Sequence, residues 1–205
     1  MNRITKRDPE REYHSELRAE QALATRARIL DATLRVIANG LAGVTIPAVA
    51  REAGVSVPTV YRHFGTKRDL LAALQPHLQQ RARLDEVVLP SSVTELRASL
   101  VAMLGRMDSL DDLARAALAS PGAEEVRRVH FPNRFRVIRR VADAIAPRQS
   151  EADRHRIARL LLILTSSSAL RVWRDHLGAS VDDVADDIDW LVQAAIAASG
   201  SEVRR

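Results

Sequence analysis

The sequence predicts an all-α protein of about nine helices, with an N-terminal three-helix domain followed by a longer helical domain. Apolar residues recur at spacings of three and four along most of the chain, and no stretch alternates as a half-buried strand would. A helix-start pattern, Ser or Thr followed three residues later by an acid, also recurs in the second half of the chain. It begins at Ser92, Ser109, Ser150 and Ser180.

The first predicted elements are a flexible arm, residues 1–19, and a helix from about Glu20 to Asn39. The arm is polar and mixed in charge, and it contains Pro9. The helix is indicated by apolar residues at helical spacing, and Gly40 supplies a C-terminal stop.

Two short helices follow, and they begin in nearly the same way. Thr45-Ile46-Pro47 and Ser56-Val57-Pro58 each place a hydroxyl N-cap before a proline in the first helical turn. Gly54 lies at the corner between them, where a left-handed backbone is needed. Such a pair forms a helix-turn-helix, whose second helix enters the DNA major groove, although the spacing alone also fits an ordinary αα-corner. We expect residues 20–66 to be this DNA-binding domain.

The fourth helix connects the two domains. It begins at Thr66-Lys67-Arg68-Asp69, a variant of the capping box in which the acid reaches back to the cap. Pro76 lies within it and predicts a kink or an early end near Gln75. We assign residues 67–90 to this connecting helix and the linker after it.

Residues 91–205 form the predicted C-terminal domain. We expect its helices at about 92–107, 110–119, 123–145, 151–176 and 180–198, with Pro132 interrupting the third. The last helix carries apolar residues at alternating spacings of three and four, the pattern of a helix packed against other helices. These residues are Val181, Val184, Ile188, Leu191, Ala195 and Ala198.

The segment from Arg156 to Trp173 has apolar or small residues on more than one face. A helix that is apolar on two sides must be covered on two sides. One side can pack on the core of its own domain. The other side is covered either by a second subunit or by more of the same subunit, and the pattern alone does not distinguish these two arrangements.

The residues of the helix-turn-helix are more specific than its spacing. Gly54-Val55-Ser56 precedes Thr59-Val60-Tyr61-Arg62-His63-Phe64, and Lys67 follows. This run closely resembles the DNA-binding domain of the tetracycline-repressor (TetR) family, over about residues 25–80. The resemblance implies a homodimer joined through a four-helix bundle of the last two long helices of each subunit. The interface is then expected to include Leu160, Leu164, Ile188, Leu191 and Ala195.

The resemblance also assigns DNA contacts. Phosphates are expected to meet Tyr61, His63, Lys67, Thr25, Thr45 and Ser56, and base edges to meet Val57, Pro58, Thr59 and Arg62. Residues 1–80 hold 12 basic and 8 acidic side chains, an excess that suits a phosphate-binding face. The alternative to a frayed arm is a basic one that touches DNA through Arg3, Lys6, Arg7 and Arg11.

A small-molecule effector site is implied in the C-terminal domain, where the family holds its ligands. Our candidates combine flexible apolar or aromatic surface with a few polar groups, although such residues are also common in a plain core. They are Met103, Met107, His130, Phe131, Asn133, Phe135, Ser167 and Trp173. We expect an apolar or amphipathic effector.

Composition argues against an enzyme, a cofactor or a metal site, because the chain has no cysteine and its six histidines lack ligand spacing. No apolar block approaches the ~20 residues of a membrane span, so we expect a cytoplasmic protein with no membrane partner. The resemblance to the TetR family implies a transcriptional repressor that binds a palindromic operator as a homodimer and is released by an effector. The alternatives are an effector-independent architectural DNA-binding protein and a helical enzyme with a coincidental helix-turn-helix.

Overall fold

The fold is all-α, as predicted. A computed structural model describes residues 9–40 and 44–202, with side chains for residues 16–40 and 44–198. These residues form ten α-helices and no strand. The helices are α1 (Pro9–Ala38), α2 (Ile46–Ala53), α3 (Val57–Phe64), α4 (Lys67–Arg81), α5 (Val93–Asp108), α6 (Asp112–Ala119), α7 (Ala123–Ile145), α8 (Glu151–Leu164), α9 (Ser167–Arg171) and α10 (Val181–Glu202). A 3-10 turn (Leu84–Glu86) and a π-helical turn (Val172–His176) join some of them.

Helix α1 begins at Pro9, so the predicted flexible arm was wrong for residues 9–19. The segment reads PEREYHSELRA, and Glu, Arg, Leu and Ala are strong helix formers. Proline is also favourable in a first helical turn, where its missing N–H would have no partner. The remaining part of the predicted arm, with Arg3, Lys6 and Arg7, lies outside the described residues.

Two prolines that predicted interruptions lie inside continuous helices. Helix α4 continues through Pro76 to Arg81, and α7 continues through Pro132 to Ile145. Both prolines lie on the exposed side of their helices. A carbonyl freed by proline can turn toward water on that side, so one lost hydrogen bond does not end the helix.

The predicted helix over 151–176 is broken instead at Thr165 and Ser166. Thr165 Oγ1 donates to Leu161 O, and the Arg134 guanidinium, from α7, donates to Thr165 O, each at 2.6 Å. Ser166 then caps α9, accepting from Ala169 N at 3.1 Å. Hydroxyl side chains that bond nearby backbone groups compete with helix continuation, and four of them stand here in a row.

Two of the four predicted helix starts in the second half have the expected cap. Ser150 and Ser180 accept from the backbone N–H three residues later, at 3.1 and 3.2 Å. Ser92 makes no such bond. Helix α6 is capped by Asp111, because Ser109 Oγ donates to the carbonyl of Arg106 at the end of α5.

The helices enclose two cores, and these do not separate at residues 67–90. The first core contains α1–α4 together with α6 and the start of α7, through the buried residues Leu110, Ala114, Ala117 and Ala123. The second contains α5, the C-terminal half of α7, α8 and α10. The DNA-binding helices therefore share a core with part of the predicted C-terminal domain. In the described part of the chain, no helix is both long and apolar enough to cross a membrane.

Candidate nucleic-acid interface and ligand cavity

The corner between α2 and α3 is built by its caps and one glycine. Thr45 Oγ1 accepts from Ala48 N, and Ser56 Oγ accepts from Thr59 N, each at 3.3 Å. Gly54 has φ 64° and ψ 38°, and its N–H reaches the last carbonyls of α2. This left-handed conformation costs glycine little, so the chain turns sharply and starts α3 at once.

Helix α3 is anchored on one side and open on the other. Val60 is 0% exposed and Phe64 6% exposed, both in the first core. On the opposite side Tyr61 is 48% exposed, and Pro58 and Arg62 are exposed as well. The predicted contact residues Val57, Thr59 and His63 lie half-buried at the edges of this open face.

Arg26 of α1 fixes the C-terminal end of α3. Its guanidinium donates to His63 O at 3.1 Å, and its Cζ lies 4.3 Å from the centroid of the Phe64 ring. A cation is favourable at a helix C-terminus and over an aromatic face. The sequence gives no sign of this positioning role, because it depends on the tertiary approach of α1 to α3.

His63 titrates below its usual range in this setting. Partial burial lowers the pKa of the imidazole most, and the neighbouring charges of Arg62 and Arg26 lower it further. Each of these effects disfavours the protonated form. The free protein therefore presents a largely neutral imidazole at the edge of the open face at neutral pH.

Lys67 links the DNA-binding helices to α7. It is the first residue of α4, directly after the cap Thr66, whose Oγ1 accepts from Asp69 N at 3.1 Å. Lys67 Nζ lies 2.8 Å from Glu125 Oε1 in the first turn of α7. The two side chains are 38% and 42% exposed. Glu125 was absent from the predicted site, since no local pattern connects residues so far apart in the chain.

The comparisons with known proteins agree with this geometry. Residues 29–74 match the sequence model of a family described as "Bacterial regulatory proteins, tetR family". The chain is 32% identical over 157 residues to the uncharacterized HTH-type transcriptional regulator Mb2274c of Mycobacterium bovis, covering 70% of this chain and 79% of that protein. The chain belongs to the TetR family.

Two further proteins place the similarity in context. The HTH-type transcriptional regulator SrpR of Pseudomonas putida is 37% identical over 92 residues, which cover 44% of this chain and only 43% of SrpR. A crystal structure of a transcriptional regulator from Rhodococcus sp. Rha1 shares the fold, with a TM-score of 0.58 at 23% identity over 85% of this chain and 97% of the other. This TetR-family chain is accordingly a DNA-binding transcriptional regulator.

The TetR-family chain has a cavity of about 300 Å³ between α5, α6, α9, the π-helical turn and the start of α10. Three of the predicted effector residues line it: Met107, Ser167 and Trp173. Most of the remaining wall is apolar, and five charged side chains also line it. The volume lies at the lower end of the range for small-molecule sites.

The other predicted effector residues do not line this cavity. The His130 ring lies 3.0 Å from Leu71 O, and Phe131 is 55% exposed and stacked on Phe135. Asn133 is exposed, and Met103 packs against the second core. Helix α7 lies against α4 with one half and α8 with the other, so none of its residues lines this cavity.

Helix α6 stands between the cavity and the DNA-binding helices. Arg115, Ala116 and Ala119 face the cavity, whereas Ala114 and Ala117 lie in the first core with α1. Beyond its C-terminal end, Ser120 Oγ donates to Ile37 O of α1 at 2.6 Å. A shift of α6 therefore reaches α1 through direct contact.

The predicted dimer residues divide between the two faces of α8 and α10. Ile188 is 0% exposed, so it packs inside its own subunit and cannot be an interface residue as predicted. The inward face of α10 is Val184, Ile188 and Val192. Leu160, Leu164, Leu191 and Ala195 are half-buried at the margins of the outward faces.

The outward faces of α8 and α10 carry two large apolar residues that sequence reasoning missed. Ile163 is 62% exposed and Trp190 is 71% exposed. Trp190 fell outside the predicted seam, whose central residues Val184 and Ile188 lie in the subunit's own core. A tryptophan among aspartates on an otherwise polar helix face was the available signal.

Proposed function

We propose that the protein is a repressor that binds a palindromic operator as a homodimer and is released when a small molecule fills the cavity. The observation that carries this proposal is the position of α6, with one face on the cavity and the other on α1. A ligand at the cavity would contact the helix that supports the DNA-binding helices.

The open face of α3 is the proposed DNA-reading surface. Its base-reading residues are Val57, Pro58, Thr59 and Arg62, of which Arg62 alone has a long side chain with several donors. The proposed phosphate-contacting residues are Thr25, Thr45, Ser56, Tyr61, His63 and Lys67. Thr45, Ser56 and Lys67 all lie at helix N-termini, where backbone N–H groups and the helix dipole favour an anion.

A second copy of the chain is the proposed cover for Ile163 and Trp190. Arg159 is exposed one turn before Ile163, and Asp187 is exposed one turn before Trp190. A two-fold axis that sets α8 of one subunit against α10 of its partner would bring these opposite charges together around the apolar centre. Two-fold symmetry also requires a palindromic operator, with half-sites ~34–36 Å apart or a multiple of that.

Release follows from a change in dimer geometry. A ligand can alter DNA affinity only if it binds one arrangement of the dimer better than the other, and couplings of about 1–3 kcal/mol, or about 5–150-fold, are typical. Helix α4 is one route for this change, because it connects the two domains, and two further routes join it. Helix α6 supports α1 directly, and α7 reaches α4 through Glu125–Lys67 and through the His130–Leu71 O contact.

The test is a reciprocal binding measurement. An operator is first selected in vitro and an effector is found by a thermal-shift screen; effector affinity is then measured by calorimetry with and without operator. We expect operator to weaken effector binding by the same factor by which effector weakens operator binding. Equal effector affinities would refute release and leave an architectural DNA-binding dimer.

A matched pair of variants locates the effector. Ser167→Trp places an indole in the cavity and should abolish effector binding, while the dimer stays intact in sedimentation. Ser168→Trp makes the same change at the exposed neighbouring position and should leave effector binding unchanged. If the two variants bind effector equally, the effector site is elsewhere.

A further inference from the structure

The chemical class of the effector follows from the charges around the cavity, given the proposed function of that cavity. Its body is apolar, with Met107, Leu170, Trp173 and Val181 among its walls. Three arginines and two aspartates also line it: Arg115, Arg171, Arg174, Asp108 and Asp175. The pairing among these charges decides which of them is accessible to a ligand.

Both aspartates are already paired with the same arginine. Arg174 donates from Nε to Asp175 at 2.7 Å and from a terminal nitrogen to Asp108 at 3.4 Å. The hydrogen bond from Arg174 is the main cause that lowers the pKa of Asp175, so this carboxylate stays ionised. Neither aspartate is available as a counter-ion for a ligand cation without breaking that arrangement.

Arg115 is also occupied. Its guanidinium donates to Asp108 O at 2.9 Å and pairs with Asp112 in the first turn of α6. Arg171, the last residue of α9, differs from the other two, because it makes no ion pair within the described residues. Arg171 is exposed at the edge of the cavity, where its fork of donors is accessible to a ligand.

We propose that the cavity binds a compact apolar monocarboxylic acid, with the carboxylate on Arg171 and the apolar body against Met107 and Trp173. A guanidinium binds a carboxylate through two parallel hydrogen bonds, which fixes orientation as well as charge. One negative charge also neutralises the guanidinium of Arg171, which makes no ion pair within the described residues. An amine would be repelled by Arg171, and an alcohol would leave its charge without a partner.

The test compares ligands that share a carbon skeleton. Octanoate, octanol and octylamine are titrated into the full-length protein by calorimetry, with phenylpropanoate as a second acid. We expect the acids to bind at least about tenfold more tightly than the alcohol or the amine, because a hydrogen bond between charged groups is stronger than one between neutral groups. If neither acid binds at millimolar concentration, or if octanol or octylamine binds as tightly as octanoate, the assignment is overturned.

Variants at Arg171 distinguish a specific contact with the carboxylate from the general attraction of an acid to a basic protein. Arg171→Gln should reduce octanoate binding to the level of octanol, and Arg171→Lys should restore only part of it, because lysine keeps the charge but loses the fork. Arg128→Gln is the control, since Arg128 is exposed on α7 away from the cavity. An equal loss in both glutamine variants would reject the Arg171 contact.

The inference and the proposed function can fail separately. If octanoate binds through Arg171 and operator leaves its affinity unchanged, the cavity selects acids but does not control DNA binding. If a neutral or cationic compound from the screen shows reciprocal coupling with operator, release is correct and the assignment to acids is wrong.

Discussion

The Lys67–Glu125 ion pair predicts that Glu125→Gln strengthens DNA binding. Lys67 is a proposed phosphate contact, yet its ammonium lies 2.8 Å from a carboxylate of α7. When DNA binds, a phosphate and Glu125 compete for the same cation. Removing the carboxylate charge leaves Lys67 to the phosphate and also removes a repulsive charge within about one Debye length, ~8–10 Å, of the proposed DNA surface.

The size of the effect follows from the exposure of the pair. Both side chains are more than one-third exposed, and a pair of this kind contributes about 0.2–1 kcal/mol. The wild-type protein loses this energy when DNA binding breaks the pair, and Glu125→Gln does not. We therefore expect Glu125→Gln to raise DNA affinity about 1.4- to 5-fold for each subunit, or about 2- to 25-fold for a two-fold dimer. The free energy of unfolding should fall by no more than the same amount.

The assay is fluorescence anisotropy with a labelled duplex of random sequence, measured over a range of salt concentrations. A random duplex suffices because phosphate contacts are independent of sequence. Glu124→Gln is the matched control: it makes the same charge change at the neighbouring residue, which pairs with Arg127 and Arg128 rather than Lys67. We expect Glu125→Gln to bind more tightly than Glu124→Gln.

A double-mutant cycle completes the test. In a Lys67→Ala background, Glu125→Gln should gain no more than Glu124→Gln, and Lys67→Ala itself should reduce the salt slope by about one per subunit. The competition is refuted if the two glutamine variants bind DNA equally. It is also refuted if Glu125→Gln weakens binding, which would mean that Glu125 orients Lys67 toward the phosphate.

Three other substitutions test the remaining assignments. Arg62→Ala should cost about 1–3 kcal/mol at one operator base pair; equal losses on operator and random DNA would exclude base reading. Trp190→Glu should give folded monomers in sedimentation, whereas Ile188→Glu should unfold the chain, and a dimeric Trp190→Glu would exclude this interface. The lowered pKa of His63 should rise when phosphate binds, so DNA affinity should increase as pH falls from about 7 to about 5; His63→Gln should flatten that dependence.

Local features were predicted well because their causes are local. The caps Thr45 and Ser56 accept from backbone N–H groups three residues away. Gly54 adopts the left-handed conformation that the turn between α2 and α3 requires. The open face of α3 follows from helical spacing between Val60 and Phe64. One face of so short a helix must be buried, and these two residues identify it.

Features that depend on contacts between distant parts of the chain could not be predicted in the same way. The break after α8 depends on Arg134, which reaches Thr165 O from another helix. The seam through Ile188 was correctly identified as a packed face, but nothing within α10 says whether its own subunit or a partner covers that face. The contact of Ile188 with the second core decides the question.

The proposed effect of a ligand on DNA binding needs few contacts, because α6 touches both the cavity and α1. Half of its eight residues are alanines, and they lie both toward the cavity and toward α1. Alanine has no rotamers through which to absorb a displacement, so a shift of the α6 backbone is passed to α1. Asp111 caps its start and pairs with Arg81 of α4, while Ser120 beyond its end bonds α1. Because α6 is bonded to the DNA-binding domain at both ends, we expect a ligand that displaces α6 to displace α1 and α4 as well.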